Sequence, residues 1–381
     1  MLLPNKKQET KLFKYADASR FAYNWALEKE VENYENGGKF KSDNDLRKEF
    51  TTFRHENEWL MNVSNNVTKQ AIKDACNAYK RFFKNQAKFP RFKSKKFAKP
   101  SFYQDNQKIK FTETHVKVEG FSSSKKRNKQ KINFIKLAEK DRIPTDAKYS
   151  NPRITFDGLN WWISVGVEYE NENVEENTNK GVGIDLGVKD LAICSDGNKY
   201  KNINKSQKVN KLEKRKRRLQ RSVSRKYENN KKGGSYCKTR NIIKSEKALL
   251  KVNHRLTNIR HNYLHQVTSE IAKREPSFVT IEDLNVSGMM KNRHLSKAIQ
   301  QQCLYEFTRQ LKYKCSWNNI ELRQVSRFFP SSKLCHECGS IKMDLKLSDR
   351  VYICPECGNR IDRDFQASLN LRDCQEYQII A

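Results

Sequence analysis

The spacing of apolar positions changes along the chain, and each change marks a different kind of element. From about Lys14 to Gln86 apolar residues recur at steps of three and four, the repeat of helices with one buried face. The cleanest stretch is Asn65 to Phe83. Val67, Ala71, Ala75, Tyr79 and Phe82 make one stripe, Lys69, Lys73, Lys80 and Arg81 lie off it, and Ser64-Asn65-Asn66 supplies caps. From about Phe102 to Tyr169 the period drops to two. Ile109 and Phe111, Val116 and Val118, and Ile132 and Phe134 alternate with polar residues, and Arg153–Phe156 and Trp162–Tyr169 flank an Asp157-Gly158 turn. Short antiparallel strands forming a small barrel or sandwich are expected there. Glu170 to Lys180 is rich in Asn and Glu and poor in apolar residues, which marks a domain boundary. Residues 205–273 then read as a helical hairpin. Val209, Leu212, Leu219 and Val223 keep a heptad-like spacing in the first arm, Leu249, Val252, Leu256, Ile259 and Tyr263 in the second, and Tyr227 to Gly234 makes the turn.

Charge changes this picture from a generic multi-domain protein to one with an acidic partner. The 381 residues carry 76 Lys and Arg against 44 Asp and Glu, a formal net charge of +32. Such a field repels itself unless a polyanion neutralises it. Nucleic acid does so and releases its counterions, which supplies affinity without sequence reading. The hairpin concentrates the effect, with 20 Lys and Arg against 3 Asp and Glu over residues 205–262, so phosphate binding is expected of it. Lys125 to Lys131 is a second basic loop. In Lys88–Phe97, cations alternate with Phe89, Phe92 and Phe97, a pattern that can hold phosphates and stack bases. The alternative is a solvated linker with its rings tucked into a core. No apolar run is long enough for a membrane span and no signal peptide opens the chain, so a soluble, cytoplasmic protein without a membrane partner is expected. Six of the ten cysteines (Cys76, Cys194, Cys237, Cys303, Cys315, Cys374) are scattered and read as reduced, packed thiols.

Three acids stand where acids are costly. Asp185 lies inside the apolar strand Gly181–Gly187, and Glu282 ends the β-branched strand Phe278–Leu284. Asp364, in Asp362-Arg363-Asp364, precedes the helix-like run Phe365–Leu371. A carboxylate buried in a strand needs a cation. Two Mg²⁺ ions bracketing a phosphodiester would use such a trio, and Asp185 and Glu282 on neighbouring strands with Asp364 on a facing helix would converge in an RNase H-like sheet. The plainer alternative is that each acid pairs with a Lys or Arg. Asp283 and Asp362 are weaker candidates, Asp283 as a strand-end or cap residue.

Cys335, Cys338, Cys354 and Cys357 form C-x₂-C-x₁₅-C-x₂-C, each pair followed by glycine. This is the spacing of a zinc ribbon. Four thiolates close the coordination of Zn²⁺, so the expected role is structural. His336, inside the first knuckle, reads as a surface residue.

The order Gly183-Ile184-Asp185-Leu186-Gly187, Ile281-Glu282-Asp283-Leu284-Asn285, Phe329-Pro330-Ser331-Ser332-Lys333 running into the ribbon, and Asp362-Arg363-Asp364 resembles TnpB, the insertion-sequence family of RNA-guided nucleases related to type V CRISPR effectors. The resemblance implies an α/β multi-domain protein: a wedge-like β-barrel from 1–13 and 98–170, a helical recognition domain over 14–97, a linker at 171–180, an RNase H-like RuvC domain from 181–329 and 360–381, and a zinc ribbon inserted at 330–359. It implies catalytic roles for Asp185, Glu282 and Asp364 with Mg²⁺, a structural Zn²⁺, a guide RNA from the element's end, double-stranded target DNA with a short adjacent motif, and a transposase encoded nearby. Gly288 to Asn292 falls where the family has a mobile lid. Two departures stand out. The chain starts at Leu2-Leu3-Pro4-Asn5, later than the strand that usually opens such proteins, so the barrel is expected to lack part of an edge, and Phe365-Gln366-Ala367-Ser368 stands where Asn-Ala-Ala is more usual. Other readings are a guided DNA-binding repressor that does not cut and a three-acid transposase that joins strands. The intact trio disfavours the first, and the ribbon just before the third acid disfavours the second.

Overall fold

The computed structural model describes residues 1–121, 133–168, 179–346 and 348–381. Lys125 to Lys131, Ile132 and most of Glu170 to Lys180 lie outside them. Contacts divide the chain into two compact units, Met1–Glu170 and Asn171–Ala381.

The first unit combines strand β1 (Leu2–Leu3), helices α1 (Lys6–Glu35), α2 (Asp43–His55), α3 (Glu58–Met61) and α4 (Asn65–Phe83), and strands β2 (Ser101–Tyr103), β3 (Lys110–Phe111), β4 (His115–Lys117), β5 (Phe134–Leu137), β6 (Tyr149–Phe156) and β7 (Trp161–Val167). Helix α1 starts well before Lys14. Its first turn is too polar for an apolar repeat to reveal, but Asn5 and Gln8 cap each other's backbone amides at 2.9 and 3.0 Å. A boundary at 13/14 therefore falls inside a continuous helix. The Asn65 to Phe83 stripe forms α4 with Val67, Ala71, Ala75 and Tyr79 buried.

The strands make one antiparallel sheet in the order β2-β6-β7-β1-β5-β4-β3. Contrary to the expectation of a weakened edge, β1 lies inside the sheet, with Leu2 opposite both Leu137 and Trp161. In β5 the inward residues are Ile135 and Leu137, while Phe134 is half-buried. The Lys88–Phe97 segment is partly anchored. Phe89 meets the Tyr79 and Phe82 rings edge-on, and Lys93 Nζ sits 3.5 Å from the Tyr23 ring centre. Phe92 and Phe97 stay exposed.

The second unit holds β8 (Val182–Leu186), β9 (Asp190–Cys194), β10 (Lys199–Lys201), α5 (Gln207–Glu228), β11 (Lys231–Lys232), β12 (Ser235–Tyr236), α6 (Arg240–Ala272), β13 (Phe278–Glu282), α7 (Val286–Met289), α8 (Ser296–Gln302), α9 (Leu304–Trp317), β14 (Glu321–Val325), β15 (Val351–Ile353), β16 (Arg360–Asp362), α10 (Arg363–Asp373) and β17 (Gln378–Ile379). Its six-stranded sheet runs β10-β9-β8-β13-β14-β17, with β8, β13 and β14 parallel. Ile184, Val279, Ile281 and Leu322 pack with Leu264 and Ile271 of α6 and Phe307 and Leu311 of α9. Side chains alternate across a strand, so Gly183 and Asp185 face the other way. There a Cβ on Gly183 would overlap the Ser368 carbonyl oxygen and the Arg372 amide nitrogen of α10.

Helices α5 and α6 form the basic hairpin. Its base is packed by Val209, Leu212, Val252 and Leu256, and Ile242 is buried near the tip; Val223 and Leu249 between them are half-buried. Gly233 and Gly234, both at positive φ, turn the chain between β11 and β12 at the tip. Among the described residues no helix is long and apolar enough to cross a membrane.

Candidate nuclease centre and zinc ribbon

Strand register brings the first two acids together. Ile184 pairs with Ile281 across β8 and β13, and Asp185 and Glu282 follow one residue later at the strand ends. The third acid comes from α10. Gly183 lets that helix lie directly on β8, so its first turn reaches the end of the strand where Asp185 stands. Asp362 is the helix N-cap, with Oδ1 accepting from the Asp364 and Phe365 amides at 3.0 Å each. This sets Asp364 in the first turn, where the helix dipole favours negative charge. Asp283 is a strand-end residue whose amide donates to the Val325 carbonyl at 2.9 Å and whose carboxylate pairs with Arg327.

The charges at this corner are unbalanced. Burial pushes the Asp185 carboxyl up to about 7, and Asp364 and Glu282 add like-charge repulsion, only partly offset by Arg363. Burial, then Asp283, raises Glu282 as well. Asp364 Oδ1 accepts from Arg363 Nη2 and Nε at 2.8 and 3.1 Å, and Arg350 Nη1 stands 3.6 Å from its other oxygen. All three acids line one cavity of about 900 Å³ with Lys189, Arg327, Lys333, Arg350 and Arg363. Oxygen donors that repel one another in a cleft open to phosphate suit a hard divalent cation such as Mg²⁺.

Three further residues lie at the corner; sequence patterns did not mark Gln302 or Asn370, and marked Gln366 only as a departure from the family. Gln302 Nε2 donates to the Gly187 carbonyl at 2.9 Å and so holds the turn after the first acid. Asn370 Nδ2 donates to the Ser331 and Leu334 carbonyls at 2.7 and 2.8 Å, tying α10 to the chain entering the ribbon. Gln366, at one of the departures from the family pattern, is fully buried, and neither its amide oxygen nor its nitrogen has a hydrogen-bond partner.

The four cysteines form a tighter centre. Their sulfurs all lie within 4.8 Å of one another, the one such cluster of His, Cys, Asp or Glu ligand atoms among the described residues. Cys335 and Cys357 Sγ are 3.6 Å apart, and Cys338 and Cys354 Sγ are 3.5 Å apart. A tetrahedral zinc with bonds of about 2.3 Å sets its sulfurs about 3.8 Å apart, so the donor set fits Zn²⁺. Gly339 and Gly358, at φ of 73° and 72°, close the two knuckles. His336 is half-buried, with Nε2 3.7 Å from Asp373. The six other cysteines are free; Cys76, Cys194, Cys315 and Cys374 are buried and Cys237 is exposed.

Three family models match in chain order: an OrfB_IS605 "Helix-turn-helix domain" over residues 1–39, the OrfB_IS605 model described as "Probable transposase" over 164–293, and "Cas12f1-like, TNB domain" over 305–371. Full-length relatives agree. A Streptomyces pristinaespiralis protein provisionally named RNA-guided DNA endonuclease is 30% identical, over 97% of this chain and 86% of its own length. One from Escherichia coli (strain K12), provisionally named RNA-guided DNA endonuclease InsQ, is 28% identical over 97% and 90%. The chain belongs to the TnpB (IS605 OrfB) family. Its α/β multi-domain fold matches the Cas12f1 chain of a Cas12f1–sgRNA–target DNA complex, with a TM-score of 0.62, 14% identity, and coverage of 96% of this chain and 82% of that one.

Proposed function

We propose that the protein is an RNA-guided DNA endonuclease that hydrolyses target DNA at Asp185, Glu282 and Asp364. The observation that carries this is the meeting of three acids from β8, β13 and α10 in one basic-rimmed cavity, where burial first and then its two partners push Asp185 up. The naming of full-length relatives as RNA-guided DNA endonucleases supports the guided part of the reading.

Bound at these oxygens, Mg²⁺ would supply an activated water and a Lewis acid for the leaving oxygen. The chain's own residues do the rest. Asp185, whose proton is held first by burial and then by its acidic neighbours, would give it up to a cation that offsets both. Arg363 pairs with Asp364, and the Asp362 cap fixes the helix start that aims it. Arg350, Lys333 and Arg327 on the cavity wall draw the phosphodiester in. The four cysteines hold the ribbon that carries Arg350 and Lys333, Asn370 ties its entry to α10, and none of these five touches the reacting atoms.

In this reading the six-stranded sheet with α10 is the RuvC-type core, over 181–329 and 360–381, and the ribbon at 330–359 is its zinc-bound insertion. The seven-stranded sheet, built from β1 and 98–170, is the wedge, helices α1–α4 form the recognition domain, and 171–180 is the linker. The basic hairpin and Lys88–Phe97 hold nucleic-acid backbone, while base pairing with the guide reads the target sequence. The test is plasmid cleavage by the complex with its element-end RNA. Targeted cuts should appear in Mg²⁺, vanish in EDTA and fall roughly 10³-fold or more in Asp185→Ala. Guide-dependent binding without cutting would sink the nuclease reading in favour of a repressor, and joined strand products would favour a transposase.

A further inference from the structure

The wall of the acid cavity carries an aromatic ring that the chemistry above does not use. Phe328 is 87% exposed, the most exposed large apolar side chain among the described residues. It lines the same cavity as Asp185, Glu282 and Asp364. Its neighbour Phe329 instead packs with Val325, Leu371 and Cys374, so the two rings of Phe328-Phe329 have opposite fates.

A loose loop does not explain the exposure. The Phe329 amide donates to the Ser326 carbonyl at 3.0 Å, and the Phe328 amide approaches Ser326 Oγ at 3.4 Å. The Ser331 amide donates to the Phe329 carbonyl at 2.8 Å, and the Ser331 carbonyl accepts from Asn370 of α10 at 2.7 Å. A local turn therefore holds the backbone before Phe328, and the backbone after it is tied to the helix that carries the third acid. More apolar surface continues the wall. Met343 and Ile341 from the ribbon, exposed by 76% and 49%, line the same cavity.

Charge and chemistry select the occupant. Lys189, Lys333 and Arg350 suit phosphates, and a bare ring among them suits the flat face of a base. A base inside a duplex has both faces covered and offers the cleft only its backbone. We infer that Phe328 stacks on an unpaired base next to the scissile phosphate, so that it selects single-stranded DNA at the cutting site and sets the phosphate over the acids. The inference rests on the proposed nuclease reading and adds a positioning residue to it.

Two readouts test this. In single-turnover cleavage by the guide-loaded complex, Phe328→Ala should slow cutting by about 5- to 150-fold, the range set by losing one base–aromatic stack. Phe328→Trp should stay within about 3-fold of wild type, because it restores a stacking face. Guide-dependent target binding should be unchanged in both. An abasic nucleotide beside the cut should slow the wild type similarly and add little to Phe328→Ala. Full-rate cutting by Phe328→Ala, or additive losses on the abasic target, would overturn the inference. The second readout needs no cutting. In an Asp185→Ala background, a single-stranded oligonucleotide carrying 2-aminopurine should be quenched on binding, and the quench should disappear when Phe328→Ala is added. Equal quenching with and without the ring would overturn the inference even if the wild type never cut, whereas a ring-dependent quench without cutting would leave Phe328 as a base-binding residue and remove the nuclease reading instead.

Discussion

The two candidate metal centres of the second unit are built on opposite plans. The four thiols come from two knuckles close in sequence, and their sulfurs already stand at zinc spacing. The three acids come from β8, β13 and α10, separated by long stretches of chain, and burial followed by the charges of the other two holds the Asp185 carboxyl up. The closed site gathers every ligand a metal needs and so stabilises structure. The open site keeps repulsion in reserve, which a cation and a phosphate relieve together. One centre should therefore lose fold with its metal, and the other should lose only chemistry.

The largest expected effect lies at the ribbon. Zinc removal with a strong chelator, or Cys335→Ser, should melt residues 330–359, because structural zinc contributes roughly 10 kcal/mol or more to small metal-bound folds. Metal analysis should find one zinc per chain, and its loss should lower Tm and stop cutting together, since Asn370 couples the ribbon's entry to α10. A zinc-free protein with unchanged Tm would break the comparison. EDTA at a strength that strips only Mg²⁺ should stop cutting with Tm little altered.

Next comes the pH dependence at the acids. In the metal-free protein Asp185 holds its proton up to about 7, against 3.8 for an unperturbed aspartate. Between those values the native state binds a proton that the unfolded chain has released, so stability falls as pH rises through this window. The shift corresponds to at most about 4 kcal/mol. Asp185→Asn should remove that slope and raise Tm in EDTA at pH 8, and Mg²⁺ should narrow the gap to wild type. A less stable Asp185→Asn at pH 8 would show that the corner is not under repulsion.

The smallest expected effect is at Gln366. Replacing its unpartnered amide with the similarly sized Met should stabilise the protein by about 1–3 kcal/mol. Denaturant titration checks this, and a lower midpoint in Gln366→Met would mean that the amide has a partner in solution.

Sequence legibility follows the same divide between local and distant. The α4 stripe, the β6–β7 hairpin and the four-cysteine spacing are short-range patterns, and each appears where its period or spacing placed it. The start of α1 was not visible, because Asn5 and Gln8 set it by side-chain capping in a stretch without apolar repeats. The interior place of β1 depends on Leu137 and Trp161, more than a hundred residues away. At the acids, the sequence supplied unusual strands but not their surroundings. Gln302 under the Gly187 turn and the bare face of Phe328 follow from packing between distant segments, and Arg350 comes beside Asp364 through the register of β15 on β16; no periodic pattern encodes them.

The way α10 lies on Gly183 also sets a timetable for synthesis. Asp185 and Glu282 leave the ribosome well before Asp364, which can reach them only after the ribbon and α10 have been made. A nascent or prematurely terminated chain carries an incomplete acid set. Contacts of such long sequence separation also form late in folding. On the proposed nuclease reading, competence should therefore appear in one step once α10 has been made, so that shorter chains already basic enough to cling to nucleic acid cannot yet cut it.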